Sequence, residues 1–196
     1  MDFVADSVDD TVNDTPTDPA PRRVTTSGLH ASGLDDSADI PELREALAAL
    51  AASVVVVTAT VDGVPVGFTA TSFTSVSMDP PLVGVLLADS AASYDAFCRA
   101  RTVAFNFLGE HQAEVAGRFA TRGAEKFAEL ALDPCLEQGL DAAPVLADTM
   151  VTLVGEVTER VVLGDHVLLL ATPTVVTPVR HEPLLYHRRS FRRLEA

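Results

Sequence analysis

The pattern of apolar and polar positions changes character at Ile40. Upstream, Asp, Thr, Ser and Pro dominate and large apolar residues are sparse. Such a segment buries too little surface to offset the entropy of ordering, so residues 1–39 are expected to form a disordered acidic tail. Downstream, Ile40, Leu43, Leu47 and Leu50 recur at helical spacing with alanines between them. Asp39 can cap and Pro41 suits a first turn, which predicts a helix over about 40–51. Val54–Val57 then forms a β-branched run that continues through Thr58 to Val61. Four consecutive valines predict a strand buried on both faces. Asp62-Gly63 is a hairpin signal, and Val64–Phe68 is the returning strand.

Between Gly67 and Leu82 the chain reads GFTATSFTSVSMDPPL. Thr69, Thr71, Ser72, Thr74, Ser75 and Ser77 stand there between two apolar runs. Hydroxyl-rich backbone in such a place needs partners. Either local turns supply them or a ligand does. Asp79-Pro80-Pro81 marks a turn, because prolines cannot donate to a ladder. Leu82–Ala88 reads as the next strand, and Ser93 as the N-cap of a short helix through Arg99. Val103–Leu108 reads as a strand whose one strongly polar member, Asn106, fits a satisfied core amide. Glu110–Phe119 reads as a helix with Val115 and Phe119 inward, and Glu125–Leu130 as a shorter one. Residues 133–149, punctuated by Pro134, Gly139 and Pro144, read as a loop crossing the surface. Met150–Arg160, His166–Ala171, Thr174–Arg180 and Leu184–His187 read as strands, with a turn at Leu163-Gly164-Asp165. Phe191 and Leu194 close the pattern in a terminal strand. Many strands, few helices and hairpin turns predict a mainly β fold, an antiparallel barrel with short helices at its ends.

Composition narrows the function classes. The chain has 196 residues, 47% hydrophobic, which suits one domain over residues 40–196 with a sizeable core. Its formal net charge is -14. Such a surface repels nucleic acid and anionic membrane. No apolar run reaches the roughly 18 residues of a membrane span, and the acidic N-terminus lacks a secretory h-region. Cys98 and Cys135 form neither a disulfide framework nor a metal-ligand spacing, so no metal is expected and the compartment reads as cytoplasmic. No nucleophile elbow, P-loop, HExxH or helix-opening GxGxxG occurs. His111 is expected at the surface, and Cys98 and Tyr186 in packing roles. His187-Arg188-Arg189 and Arg192-Arg193 form a basic cluster, which serves either as a solvated face or near nucleotide phosphates.

With those residues in place, the chain over about 40–194 resembles the short-chain flavin reductases, the small components of two-component flavin-dependent monooxygenases. The resemblance rests on the stretch from Gly67 to Leu82, on Ala104-Phe105-Asn106-Phe107-Leu108, and on Arg118-Phe119-Ala120. It rests also on Gly164-Asp165-His166 and Pro183-Leu184-Leu185-Tyr186-His187. It implies an FMN-binding split barrel, normally a homodimer, that reduces FMN or FAD with NADH or NADPH and feeds a partner monooxygenase. Thr69, Ala70, Thr71 and Ser72, with Ser75, would hold the isoalloxazine edge and ribityl chain. Leu86, Leu87 and Ala88, with the following loop carrying Ser90 and Ser93, would line the cofactor and its phosphate. A helix start at Ser93 suits an anion. Arg118 and Phe119 would close the phosphate or ring side. His166, which by residues alone is either a surface-turn histidine or a ligand-facing one, would sit where the nicotinamide stacks.

Hydride transfer to a flavin asks little acid or base of a protein, which agrees with the lack of a nucleophile–base pair. Two further readings share the fold. One is a non-catalytic flavin-binding electron carrier or sensor. The other is a split-barrel oxidase acting on a small amine or a haem-derived compound.

Overall fold

The computed structural model describes residues 21–23, 41–133 and 142–194. The elements, in chain order, begin with β1 (Arg22–Arg23), α1 (Pro41–Ala48), β2 (Ala52–Ser53), β3 (Val55–Val61), β4 (Val64–Ala70) and β5 (Thr74–Met78). There follow β6 (Pro81–Ala88), α2 (Tyr94–Phe97), β7 (Thr102–Phe107) and α3 (Ala113–Ala120). The last are β8 (Val151–Leu163), β9 (His166–Val176), β10 (Leu185–His187) and β11 (Ser190–Arg192). The expected tail lies outside the described residues, except that Arg22–Arg23 runs parallel to Val161–Val162 and Arg22 pairs with Glu159 at 2.9 Å.

The main sheet has the order β4-β3-β7-β8-β9-β6-β5, and its neighbours along that path are antiparallel. Its two ends, β4 and β5, are not paired. Ser72, in the loop between them, bridges the split: its hydroxyl accepts from the Leu86 N–H and donates to the Leu86 carbonyl, both at 3.1 Å. Phe73 follows it inward and packs edge-on to Phe107 and Phe105. This is the expected split barrel. A second, three-stranded sheet, β11-β10-β2, lies beside it.

The valine run behaves as its composition predicts. Val54, Val55, Val56 and Val57 are all buried, with one set facing the barrel interior and the alternate set facing the layer under α3. Asp62 and Gly63 turn the β3–β4 hairpin with φ of 53° and 74°. Both values are positive, which an Asp-Gly pair tolerates.

Asn106 is fully buried and its amide is fully engaged. Nδ2 donates to the Val56 carbonyl at 3.0 Å and to Thr58 Oγ1 at 3.1 Å. Oδ1 accepts from the Leu146 N–H at 2.9 Å and from Thr152 Oγ1 at 3.3 Å. Thr58 in turn donates to the Pro144 carbonyl at 2.5 Å. This network clamps the segment before β8 onto the barrel wall. It also corrects the expectation of a surface loop over 133–149: Ala143, Val145 and Leu146 are buried, because the polar node of β7 gives their backbone a partner. Residues 134–141 lie outside the described set.

Other expectations change at their boundaries. Thr74–Met78, within the hydroxyl-rich stretch that was given no element, is a strand and pairs with β6 across a bulge between Ser75 and Ser77. Glu125–Leu130 forms turns instead of a helix, since Glu129 sits at φ 54° and six residues are too few to sustain a nucleus without tertiary help. The apolar positions there pack onto the layer under α3 without helical backbone: Phe127 meets Phe119 edge-on at 5.1 Å, and Leu130 packs against the same cluster. Thr174–Val176 extends β9 and the strand stops there, short of Arg180; Leu194 follows β11 without joining it.

Candidate active site

A cavity of about 410 Å³ opens where the end of β4, the end of β6, the loop into α2 and the end of α3 converge. That volume is within the usual range of small-molecule sites. Ten of the expected residues line it: Thr69, Ala70, Thr71, Ser72, Leu86, Leu87, Ala88, Ser93, Phe119 and His166. Residues distant in sequence meet because β6 pairs with β9, setting Ala88 opposite His166.

Each wall has a local cause. Thr69 is held by its own hydroxyl, which donates to the Ala116 carbonyl at 2.7 Å and ties β4 to α3. Ser72 spends its hydroxyl on Leu86, as described above. Phe119 packs close against Gly67, where a Cβ would stand 2.6 Å from Phe119 Cε1 and 3.1 Å from the Val57 carbonyl. Gly67→Ala is therefore expected to push the Phe119 ring toward the cavity and to destabilise the chain by about 1–3 kcal/mol, the usual cost of overpacking. A melting curve measures the loss, and an unshifted midpoint would show that the ring has room to move.

The loop to α2 and the far end of that helix are each anchored. The Asp89 N–H donates to the Asp165 carbonyl at 2.9 Å, and beyond the loop Arg160, which is buried, donates to the carbonyls of Phe97 and Ala100. Ser93 is buried and precedes α2, yet its side chain makes no capping bond. Its hydroxyl is not consumed by the helix. The helix has only four residues, Tyr94–Phe97, so the expected dipole contribution to anion binding is small.

The positive charge comes from elsewhere. Arg122 and Lys126 line the cavity and were not singled out by the sequence pattern. Arg122 donates to the Ser90 carbonyl at 2.6 Å. Lys126 Nζ donates to the carbonyls of Gly67 at 2.8 Å and Phe119 at 3.0 Å. An ammonium has three N–H donors, so one is left over for the cavity. Among the described residues neither cation meets a carboxylate. Burial holds the Lys126 pKa below the ordinary lysine value. Lys126 is the chain's single lysine, and that rarity within so acidic a sequence was the available signal.

Three expected residues stand outside the lining. Ser75 is exposed on β5, on an edge strand where polar side chains face solvent. Ser90 contributes its carbonyl to Arg122 but is itself exposed. Arg118 turns to the Ala128 carbonyl at 2.8 Å, with Glu114 one helical turn away at 3.9 Å. Arg118 thus secures the turn that carries Lys126, and it is Arg122 and Lys126 that line the cavity.

His166 is part exposed at the cavity rim, with Nδ1 at 2.7 Å from Asp165 Oδ1. This bond lowers the Asp165 pKa. When Nδ1 carries the proton in that bond, Nε2 of the neutral ring is an acceptor turned to other partners. A second hollow of about 390 Å³ shares the wall Thr69–Thr71 and is bounded by Val54, Tyr186, Arg189 and Phe191.

Residues 46–195 match the family described as the flavin reductase like domain. The chain belongs to that family. It is 38% identical over 157 residues to an NADH:FMN oxidoreductase of Rhodococcus erythropolis, covering 78% of this chain and 80% of that protein. It is 35% identical over 153 residues to the reductase component of a 4-nitrophenol 4-monooxygenase/4-nitrocatechol 2-monooxygenase of Rhodococcus opacus, covering 78% and 80%. Among solved structures, the NADH:FAD oxidoreductase of Streptomyces globisporus C-1027, in complex with NAD and FAD fragments, superposes with a TM-score of 0.74. Sequence identity there is 29%, over 83% of this chain and 96% of that one. For a member of this family the cavity's donor set fits a flavin nucleotide. Two cations without carboxylate partners among the described residues suit its phosphate, and the Ser93 hydroxyl makes no capping bond.

Proposed function

We propose that this chain is an NADH-dependent flavin reductase that binds FMN or FAD in the cavity between β4, β6 and α3 and passes reduced flavin to a partner monooxygenase. The observation that carries the reading is the pair Arg122 and Lys126, two cations with no carboxylate partner among the described residues, beside a cavity of about 410 Å³ in a chain of net charge -14. They would hold the phosphate by charge-assisted hydrogen bonds. Thr69–Ser72, where β4 leaves the ladder, would follow the ring edge. A bound flavin accepts a hydride at its ring from the nicotinamide. His166, oriented by Asp165, would place the nicotinamide amide against that ring.

The experiment is anaerobic mixing of the purified chain with NADH or NADPH and each of FMN, FAD and riboflavin. Oxidation of NADH with bleaching of the flavin is expected. A yellow protein that no nicotinamide bleaches would instead identify an electron carrier or sensor. His166→Ala is expected to lower kcat/KM for the nicotinamide about tenfold, the weight of one hydrogen bond of about 1.4 kcal/mol. An unchanged value would remove His166 from the site.

A homodimer also belongs to this reading. Leu43, Leu47 and Leu50 form the apolar side of α1 and its C-terminal turn, and more than half of each is exposed in the single chain. A second copy would cover them; light scattering of a monomer would contradict it. Among the described residues no helix is long and apolar enough to cross a membrane. A reducing cytoplasm suits Cys98, which stands as a free thiol.

A further inference from the structure

We propose that His111, Asp148 and His181 form a binding site for a divalent transition-metal ion of the zinc class, separate from the flavin cavity. The three residues come from three segments: the turn before α3, the turn before β8, and the connection between β9 and β10. His111 Nε2 lies 2.9 Å from Asp148 Oδ2, and His181 Nε2 lies 2.8 Å from Asp148 Oδ1. The candidate ligand atoms all lie within 4.8 Å of one another. Zinc takes imidazole nitrogens at about 2.0–2.1 Å and carboxylate oxygens at similar range, so rotations of part-exposed side chains bring this set around one ion. Two imidazoles and a carboxylate favour zinc and its late first-row neighbours over calcium or magnesium, and leave open positions for water.

The backbone around the cluster is shaped for it. A Cβ on Gly109 would stand 2.8 Å from His111 Cε1 and 3.3 Å from His181 Cβ, so the glycine makes room for both histidines. Asp148 sits at φ 60°, a left-handed conformation that few non-glycine residues adopt and that recurs at functional sites. The three segments are also tied beside each ligand. Glu110 N–H donates to the Glu182 carbonyl at 2.9 Å, Leu184 N–H to the Leu108 carbonyl at 2.9 Å, and Gln112 Nε2 to the Ala147 carbonyl at 3.1 Å. The imidazole rings meet edge to face at 4.9 Å. The scaffold is therefore held before any ion arrives, which limits the ordering that binding requires. Bound metal would act as a clip joining α3, β8 and the β10 connection.

The test is calorimetric titration of Zn²⁺ into the untagged, chelator-stripped full chain, followed by thermal melting with and without the ion. Saturable binding of a single ion per chain and a raised melting temperature are expected. His181→Gln and Asp148→Asn should each weaken binding about tenfold or more and abolish the melting shift, while their metal-free circular dichroism matches the parent. In the unaltered chain, imidazole nitrogen resonances of His111 and His181 should move on adding Zn²⁺ and those of His187 should not. Equal Zn²⁺ affinity in parent and variants would overturn the site. So would unsaturable uptake by the parent, which would leave the cluster a hydrogen-bonded clip without metal.

Discussion

Lys126→Met is expected to weaken FMN binding roughly 10- to 100-fold and to leave riboflavin binding nearly unchanged. Hydrogen bonds to charged groups contribute about 1.5–3 kcal/mol, and the phosphate is what distinguishes the two ligands. Methionine keeps most of the buried stem and removes the ammonium. The same change severs the bonds to the carbonyls of Gly67 and Phe119. That loss is common to both ligands, so riboflavin is the internal control. Fluorescence titration with each ligand reads the difference, and equal weakening of both would assign Lys126 to packing. Because burial already lowers its pKa, the ammonium loses its proton at a lower pH than an exposed lysine would. FMN affinity should therefore begin to fall earlier on the alkaline side, and this limb should vanish in Lys126→Met.

Asn106→Ala is expected to lower the stability of the chain by about 3 kcal/mol or more. Removing the amide leaves the buried Leu146 N–H and Val56 carbonyl each without that partner, at about 1–3 kcal/mol per group. It also opens a cavity at a fully buried position. For a domain of this size each kcal/mol shifts the melting temperature by about 2–4 °C, so a fall of roughly 6–12 °C should be seen. Asn106→Leu fills the space yet strands the same groups, and should recover little. If leucine restores most of the stability, packing and not hydrogen bonding holds Leu146 to the wall.

These two residues show what the chain discloses before folding. Asn106 was legible as a satisfied core amide because it interrupts an apolar strand. The valine run, the Asp62-Gly63 turn and the Gly164-Asp165 turn were legible too, since each depends on neighbours in sequence. The hydroxyl-rich stretch was legible only in its first half. Thr69–Ser72 borders the cavity, whereas Thr74, Ser75 and Ser77 belong to an edge strand whose side chains meet mostly water. Polar side chains on a solvent-facing edge carry little apolar contrast, so the pattern there predicts no strand. Arg122 and Lys126 were missed because their role depends on which carbonyls they reach across the fold. Ser93 lines the cavity, but the helix behind it is a single turn and its hydroxyl makes no cap, so the helix-start signal overstated the dipole there. His111, Asp148 and His181 share no sequence motif, and only the folded backbone brings them together.

The buried amide has one more effect, on alignment. Four valines in a row look alike to their neighbours, and sliding β3 along β7 by two positions would return valine or a similar side chain to almost every contact. Asn106 opposite Val56, with Thr58 and Thr152 in reach, breaks that degeneracy. A shift would carry the carboxamide into grease with nothing to hold. One polar notch among interchangeable teeth thus lets the barrel close in a single setting, and with it fixes where Thr69 and His166 end up.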